Sequence, residues 1–183
     1  MYGLDVYLTQ ALNNIAGKSG LLDILMTGVS AWGIPILVLA VAVQWWWKPD
    51  RLHHRHVLVA TGLSFMLGLA LNQLILLFVH RMRPYDAGIT HLIIAPSADP
   101  SFPSDHATAT AAIAAAFLIK GMRRIGVLFG AAALWVMVSR IYIGTHYVSD
   151  VIGGAGTGIA AAGLVAALYR EGTRIDRLIT GVM

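Results

Sequence analysis

Apolar residues fall into five long runs separated by short polar segments, and this pattern predicts a membrane protein. The runs cover residues 21–47, 57–79, 103–119, 125–143 and 148–169. A helix needs roughly 20 apolar residues to cross a bilayer, so each run is interpreted as one transmembrane helix. The pattern therefore predicts an all-α bundle of about five transmembrane helices, in a single domain over residues 1–183.

The segment 4–15 is shorter and amphipathic. At helical spacing, one of its faces is apolar, formed by Leu4, Leu8, Leu12 and Ile15. This favours a helix that lies along the membrane interface rather than across the bilayer. Asp5 and Gln10 interrupt the apolar residues here, and no charged leader precedes them, so we expect no cleavable signal peptide.

Composition narrows the class of protein further. Hydrophobic residues make up 57% of the chain, which is too apolar for a typical soluble domain. Cysteine is absent, which excludes a disulfide framework and thiolate metal sites. The net charge of +4 is modest, and its grouping by segment suits a membrane protein better than a nucleic-acid binder.

Basic residues are concentrated in three segments that follow the first, third and fifth spans: Lys48, Arg51 and Arg55; Lys120, Arg123 and Arg124; Arg170, Arg174 and Arg177. These segments alternate so that they share one side, which the positive-inside rule makes cytoplasmic. The N-terminus, the 81–102 loop and the 144–147 turn are then expected to face outward. His53, His54 and His56 fall in the first basic segment, where a solvated loop is favoured over a metal site.

Two outward segments contain polar groups that are costly in an apolar setting. Pro84 ends the second helix and biases Arg83 toward an extended backbone, so Arg83 is either an interfacial anchor or a ligand-binding group. Pro103 and Ser104 open the third span, where free amides and the helix dipole bind anions. His106 lies one turn further on. The alternative for this segment is a plain helix cap with an incidental histidine.

The fourth and fifth spans add three more such residues. Arg140 lies in an apolar helix, where an arginine costs about 2.5–3.5 kcal/mol, so it needs an anionic partner: Asp150, Asp105 or a ligand. His146 and Asp150 are four residues apart and share a face if helical. If the Asp150 carboxylate accepts a hydrogen bond from Nδ1–H of His146, the lone pair of Nε2 is left free to act as a nucleophile. The alternative is a structural His–Asp pair that caps the fifth span.

Together these residues can form a metal-free phosphate-transfer site, and three sequence blocks carry a family resemblance. They read Arg83-Pro84, Pro103-Ser104-Asp-His106, and Ser139-Arg140 followed by His146 and Asp150. This arrangement resembles the type 2 phosphatidic acid phosphatase superfamily, including the spacing of the last block. Members often have a lysine seven residues before the Arg-Pro arginine. That position is Leu76 here, and Arg81 is the expected substitute, ahead of His80.

The chain is most similar to one branch, the bacitracin-resistance type of undecaprenyl-diphosphate phosphatase. The shared features are Asn72, the missing lysine, Asp105 within Pro-Ser-Asp-His, and Gly-Thr-His-Tyr around His146. The resemblance implies conversion of undecaprenyl diphosphate to undecaprenyl phosphate at the outer face of a bacterial plasma membrane. The lipid tail is expected to enter along the alanine- and glycine-rich third and fifth spans.

The resemblance also implies a role for each site residue. His146 attacks phosphorus to form a phosphohistidine, Asp150 orients it, and His106 protonates the leaving group and then activates water. The transferring phosphoryl oxygens are bound by Arg83, Arg140, Ser104 and nearby amides, with Arg81 as an added basic ligand. Asp105 belongs to the same pocket, as a branch marker or a partner to an arginine. No metal and no cofactor are implied.

Other functions remain open at this point. The same site fits another lipid phosphate, such as phosphatidic acid, phosphatidylglycerol phosphate or lipid A. A small membrane carrier also needs buried charges, although the chain shows no obvious inverted repeat. A haloperoxidase shares the pocket but is soluble. The expected partners are a lipid phosphate and membrane lipids, with no nucleic acid, and the sequence leaves the oligomeric state open.

Overall fold

The computed structural model describes residues 2–46 and 51–181, and all regular secondary structure within them is helical. Trp47, Lys48 and Asp50 lie outside the described residues. The helices are α1 (Tyr2–Asn13), α2 (Gly20–Ala42, continued by a 3-10 turn over Val43–Trp46), α3 (Arg51–Leu76), α4 (Asp105–Ile119), α5 (Arg123–Tyr142), α6 (Val148–Leu168) and α7 (Arg174–Thr180). The predicted all-α membrane bundle is therefore confirmed.

Four of the five predicted spans have the length and apolar character to cross a bilayer: α2 with its 3-10 turn, α3, α5 and α6. The third predicted span differs. It begins at Asp105 rather than Pro103 and has only 15 residues, or about 22 Å of helix. This helix, α4, is the buried centre of the bundle and packs against α3, α5, α6 and, less extensively, α2.

Glycines of α6 allow it to approach α4 closely. A Cβ at Gly154 would collide with the carbonyl oxygen of Ser104, and one at Gly158 would collide with that of Thr108. Small residues at such positions let two helix backbones touch. The α4–α6 interface is therefore filled by backbone and leaves no gap for a lipid tail between these two helices, while the path of the tail along their other faces stays a prediction.

Helix α1 lies across the ends of α5 and α6. Asn13 fixes it there, since its Nδ2 donates to the carbonyl oxygens of Tyr142 at 2.8 Å and His91 at 2.9 Å. Leu4 and Leu8 are exposed, 64% and 40% respectively. A short helix with a free apolar face, docked on a bundle end, fits the predicted interfacial position.

At the opposite end of the bundle, His53, His54 and His56 were predicted to lie in a solvated loop. They lie in α3 instead, because this helix already begins at Arg51. His56 is fully buried, with its Nδ1 2.8 Å from Oδ1 of Asp176 in α7 and its ring stacked on Tyr169. Within residues 2–46 and 51–181, no three potential metal ligands converge. The contact between His56 and Asp176 holds α7 against α3.

Candidate active site

A cavity of about 230 Å³ opens where α3 and α5 end and where α4 and α6 begin. It brings together two histidines and two arginines from four separate segments of the sequence. Its lining consists of Gln73, Leu76, Arg83, Ser97, Asp99, Pro100, Pro103, Asp105, His106, Arg140 and His146. Residues far apart in the chain converge here because the bundle aligns these four helix ends.

His146 lies in the turn between α5 and α6 and is 3% exposed. Its Nδ1 is 2.8 Å from the carbonyl oxygen of Ser101. A carbonyl oxygen can only accept, so Nδ1 carries the proton and Nε2 presents its lone pair. The carboxylate of Asp150, which was predicted to accept this hydrogen bond, lies further away, with its Oδ2 3.7 Å from Nδ1.

Asp150 is connected to His146 through Ser101. Its fully buried carboxylate accepts hydrogen bonds from Ser101 Oγ, from Arg81 Nη1 and, at 2.9 Å, from the amide of Tyr147. Burial lowers the pKa of His146, and the nearby arginines add to this effect while Asp150 opposes it. The imidazole is therefore neutral at neutral pH, as a nucleophile requires.

Arg83 is buried beside the imidazole rather than extended to the membrane surface. Its Nε donates to the carbonyl oxygen of Asp99 at 2.7 Å, and its Nη1 to that of Thr145 at 3.1 Å. The same Nη1 is 3.4 Å from Nε2 of His146. These bonds hold the guanidinium at the face where an incoming phosphoryl group would meet His146.

Arg140 has no carboxylate partner among the described residues. Its Nη1 donates to Ser30 Oγ of α2, and its buried Nε has no hydrogen-bond partner within the described part of the chain. The two carboxylates considered from the sequence are engaged elsewhere, Asp150 with Arg81 and Asp105 with Asn72. A buried guanidinium without a counter-ion is a binding site for an anion.

The start of α4 supplies the remaining predicted groups. Ser104 Oγ is buried and finds no partner among the described residues, while its amide donates to the carbonyl oxygen of Asp150 at 3.1 Å. Asp105 is exposed at the cavity and accepts a 2.7 Å hydrogen bond from Asn72, so it pairs with neither arginine. Next to it, His106 lines the cavity from the first turn of α4.

Arg81, the expected substitute for the missing lysine, is bound to protein groups. Its guanidinium donates to Asp150, to Ser149 Oγ at 2.6 Å and to Asp5 Oδ2 at 2.7 Å, and it stacks 3.8 Å from the Tyr147 ring centroid. It is not among the residues that line the cavity, and its binding to phosphate stays a prediction. Leu76 does line the cavity, with Gln73 one turn earlier on the same wall.

Sequence reasoning missed Ser101, Ser30 and Asp5. Ser101 precedes the Pro-Ser-Asp-His block by two residues, but a backbone carbonyl leaves no signal in a sequence. Ser30 was one of two hydroxyl residues, with Thr27, within an apolar span, which is a weak sign of a polar contact. Asp5 was noted only as an interruption of an apolar face, although a charge there indicates a docked surface.

Comparisons with known proteins agree with this geometry. Residues 57–174 match the family described as the PAP2 superfamily. The chain is 35% identical to the undecaprenyl-diphosphatase BcrC of Bacillus subtilis strain 168, over 82% of this chain and 76% of that protein. It is 28% identical to phosphatidylglycerophosphatase B of the same strain, over 72% of this chain and 65% of that protein.

A solved structure extends the likeness to the whole bundle. The crystal structure of Aquifex aeolicus LpxE superimposes with a TM-score of 0.73, covering 90% of this chain and 95% of that one at 23% identity. The sequence match, the fold and the cavity all indicate the same family. The chain belongs to the PAP2 superfamily, as an integral membrane enzyme of the lipid phosphatase class.

Proposed function

We propose that the protein removes the terminal phosphate of undecaprenyl diphosphate through a phosphohistidine on His146. The observation that carries this proposal is the pair of buried arginines that meet two histidines in one cavity at a membrane helix end. One of the reported sequence matches, over 82% of this chain, is to a protein named as an undecaprenyl-diphosphatase. A lipid diphosphate presents its headgroup at such a helix end while its tail stays in the bilayer.

In the first step, Nε2 of His146 forms a bond to the terminal phosphorus as the bridging P–O bond breaks. His106 gives its proton to the departing oxygen of undecaprenyl phosphate. Arg83 and Arg140 neutralise the oxygens of the transferring phosphoryl group, where positioning and charge account for most of the catalysis. In the second step, His106 takes a proton from water, whose oxygen attacks phosphorus, and the P–N bond breaks to release inorganic phosphate.

We place this chemistry at the outer membrane face. The cavity lies at the bundle end opposite to the basic segments around Arg51, Arg123 and Arg174. The positive-inside rule assigns those segments to the cytoplasm. The host membrane in this proposal is the bacterial plasma membrane. Cysteine labelling of the 81–102 loop in intact cells tests the assignment, because an outward loop reacts with an impermeant maleimide and a cytoplasmic loop does not.

Phosphate release from purified protein tests the substrate. The panel contains undecaprenyl diphosphate, phosphatidic acid, phosphatidylglycerol phosphate and a lipid A phosphate. We expect the highest kcat/KM for undecaprenyl diphosphate. A preference for phosphatidylglycerol phosphate would instead support the second candidate, which the match to phosphatidylglycerophosphatase B favours. Phosphate release in detergent without any gradient excludes the carrier alternative.

Activity is expected to be unchanged by EDTA and to be inhibited competitively by orthovanadate. The described residues offer no cluster of metal ligands, and two arginines supply the charge that a metal ion would otherwise provide. Vanadate resembles the pentacoordinate phosphorus that forms beside His146. Initial rates at several vanadate concentrations check the second expectation. Loss of activity in EDTA that a divalent ion restores would contradict the first.

An exposed stripe of α3 offers a path for the lipid tail. Gly62, Met66, Leu69, Gln73 and Leu76 recur at helical spacing on one face of α3. The last two line the phosphate-sized cavity, and the first two line an apolar groove of about 390 Å³ between α2 and α3. Met66 and Gln73 are about 10 Å apart along the helix, so a tail can run directly from cavity to groove.

A second apolar groove, between α2 and α5, is less suited to the tail. It is larger, about 780 Å³. However, α2 and α5 contact each other closely there, because Arg140 donates to Ser30 and Gly33 packs directly on Val136. We therefore favour the α3 stripe, which is exposed at Gly62, Met66 and Gln73.

Gly62→Trp is expected to raise KM for undecaprenyl diphosphate about tenfold because the indole fills the α2–α3 groove. KM for isopentenyl diphosphate should not change, since its five-carbon tail does not reach that far. Gly28→Trp is the matched control, because Gly28 lines the α2–α5 groove and, like Gly62, has no atom near its Cβ position. An effect of Gly28→Trp alone would assign the tail to the α2–α5 groove.

A further inference from the structure

The N-terminal helix α1 contacts the first turn of α6, next to His146, through the carboxylate of Asp5. Asp5 Oδ1 accepts the amide of Ser149 at 2.9 Å, and its Oδ2 accepts Arg81 Nη2 at 2.7 Å and the hydroxyl of Ser149. One turn along α1, Thr9 Oγ1 accepts the amide of Val148 at 3.1 Å. These amides belong to the first turn of α6, where no intrahelical acceptor exists. Helix α1 therefore caps α6 from outside.

The same contacts continue to the proposed nucleophile. Arg81 binds Asp5 on one side and Asp150 on the other. Asp150 accepts the hydroxyl of Ser101, and the carbonyl oxygen of Ser101 accepts Nδ1–H of His146. The backbone of Ser101 is also fixed by Arg81, whose carbonyl oxygen accepts its amide at 2.8 Å. Every link from α1 to the imidazole is thus a hydrogen bond or an ion pair.

We propose that Asp5 is a positioning residue for His146, acting through Arg81, Asp150 and Ser101. Asp5 lies on α1, outside residues 57–174, which match the family. The proposal rests on His146 being the nucleophile. The proposed effect depends on charge as well as on geometry. The two negative charges of Asp5 and Asp150 exceed the single positive charge of Arg81. This net negative charge stabilises the imidazolium that forms during attack.

Asp5 is ionised in this setting. Burial acts to raise the pKa of its carboxyl, but hydrogen bonds from Arg81 and Ser149 outweigh burial and lower that pKa. The charged groups around His146 are Arg83 and Asp99 in the loop after α3, Asp105 at the start of α4, Arg140 on α5 and Asp150 on α6. His106 on α4 is a further titratable group. Loss of the Asp5 charge makes this environment more positive, which disfavours the protonated imidazole.

Asp5→Asn, which keeps the side-chain shape, tests the proposal in the full-length protein. We expect kcat for undecaprenyl diphosphate to fall roughly tenfold with KM within about twofold. The acid limb of the kcat/KM profile should move to lower pH, because His146 holds its proton less tightly. Asp5→Glu restores the charge and should recover most of kcat and the wild-type acid limb.

Thr9→Val is the structural control, because it removes a neutral cap from the same end of α6. It should lower thermal stability in detergent and leave the acid limb in place. An Asp5→Asn enzyme with the wild-type kcat and acid limb would overturn the proposal, as would an Asp5→Glu enzyme no better than Asp5→Asn. If the wild type fails to release phosphate, or if His146→Ala retains activity, the proposed function is what fails.

Discussion

His146→Ala is expected to lower phosphate release by about 10⁴-fold or more. The Nδ1–H of this imidazole is held by the carbonyl oxygen of Ser101, and its Nε2 lies beside the buried guanidinium of Arg83. His106 lines the same cavity from the first turn of α4, but its proposed work is proton transfer. Phosphate release from undecaprenyl diphosphate measures the loss, and acid-labile labelling with a ³²P substrate should disappear with it.

His91→Ala is the matched control for this experiment. His91 lies in the loop at the same bundle end, and its side chain is exposed outside the cavity. Its known contacts with Asn13 are through the backbone, which alanine retains. His91→Ala should therefore keep the wild-type rate. Turnover by His146→Ala comparable to that of His91→Ala would remove the basis for a phosphohistidine.

Arg140→Met is expected to lower kcat/KM by about 10³-fold, the range for loss of a charge that stabilises a phosphoryl transition state. The guanidinium of Arg140 lacks a carboxylate partner among the described residues, so we expect it to bind an anion. Methionine keeps an unbranched apolar stem and removes the charge together with the N–H donors, including the one bound to Ser30. Inhibition by vanadate should weaken in parallel, which the inhibition constant measures.

Arg81→Met distinguishes the two kinds of arginine at this site. Arg81 binds two carboxylates outside the cavity, so its loss should lower kcat while the inhibition constant for vanadate stays near the wild-type value. Equal weakening of vanadate inhibition in both variants would show that Arg81 contacts phosphate after all. Retention of vanadate affinity in Arg140→Met would contradict the assignment of Arg140.

The fold could be predicted from sequence because a bilayer restricts the choices. An apolar run near 20 residues long has to form a helix in lipid, which identified α2, α3, α5 and α6. The same rule placed the start of α4 two residues early, at Pro103, and gave no sign that α4 is the buried centre. A helix surrounded by other helices has the same composition as one surrounded by lipid.

The identities of the site residues could also be predicted, but not their pairings. Arg83, Arg140, His106 and His146 were identified because charge is costly in an apolar helix, and the structure brings them to one cavity. Spacing alone suggested that Asp150 bonds to His146 directly. Instead, Ser101 of the 81–102 loop lies between them, and the Arg81 side chain binds Asp5 of α1. Such contacts depend on the path of a loop, which side-chain periodicity does not encode.

The shortness of α4 has a consequence for what can be hydrolysed. A helix of about 22 Å does not span a hydrocarbon layer of about 30 Å. In the proposed orientation, and with the C-terminal end of α4 level with the inner surface, the end of α4 at the cavity would lie about 8 Å inside the outer surface. Under the proposed function, the scissile phosphate would then have to sink below the plane of neighbouring headgroups. A bare diphosphate would do so, whereas a carrier still bearing a bulky sugar would be held at the surface, out of reach of His146.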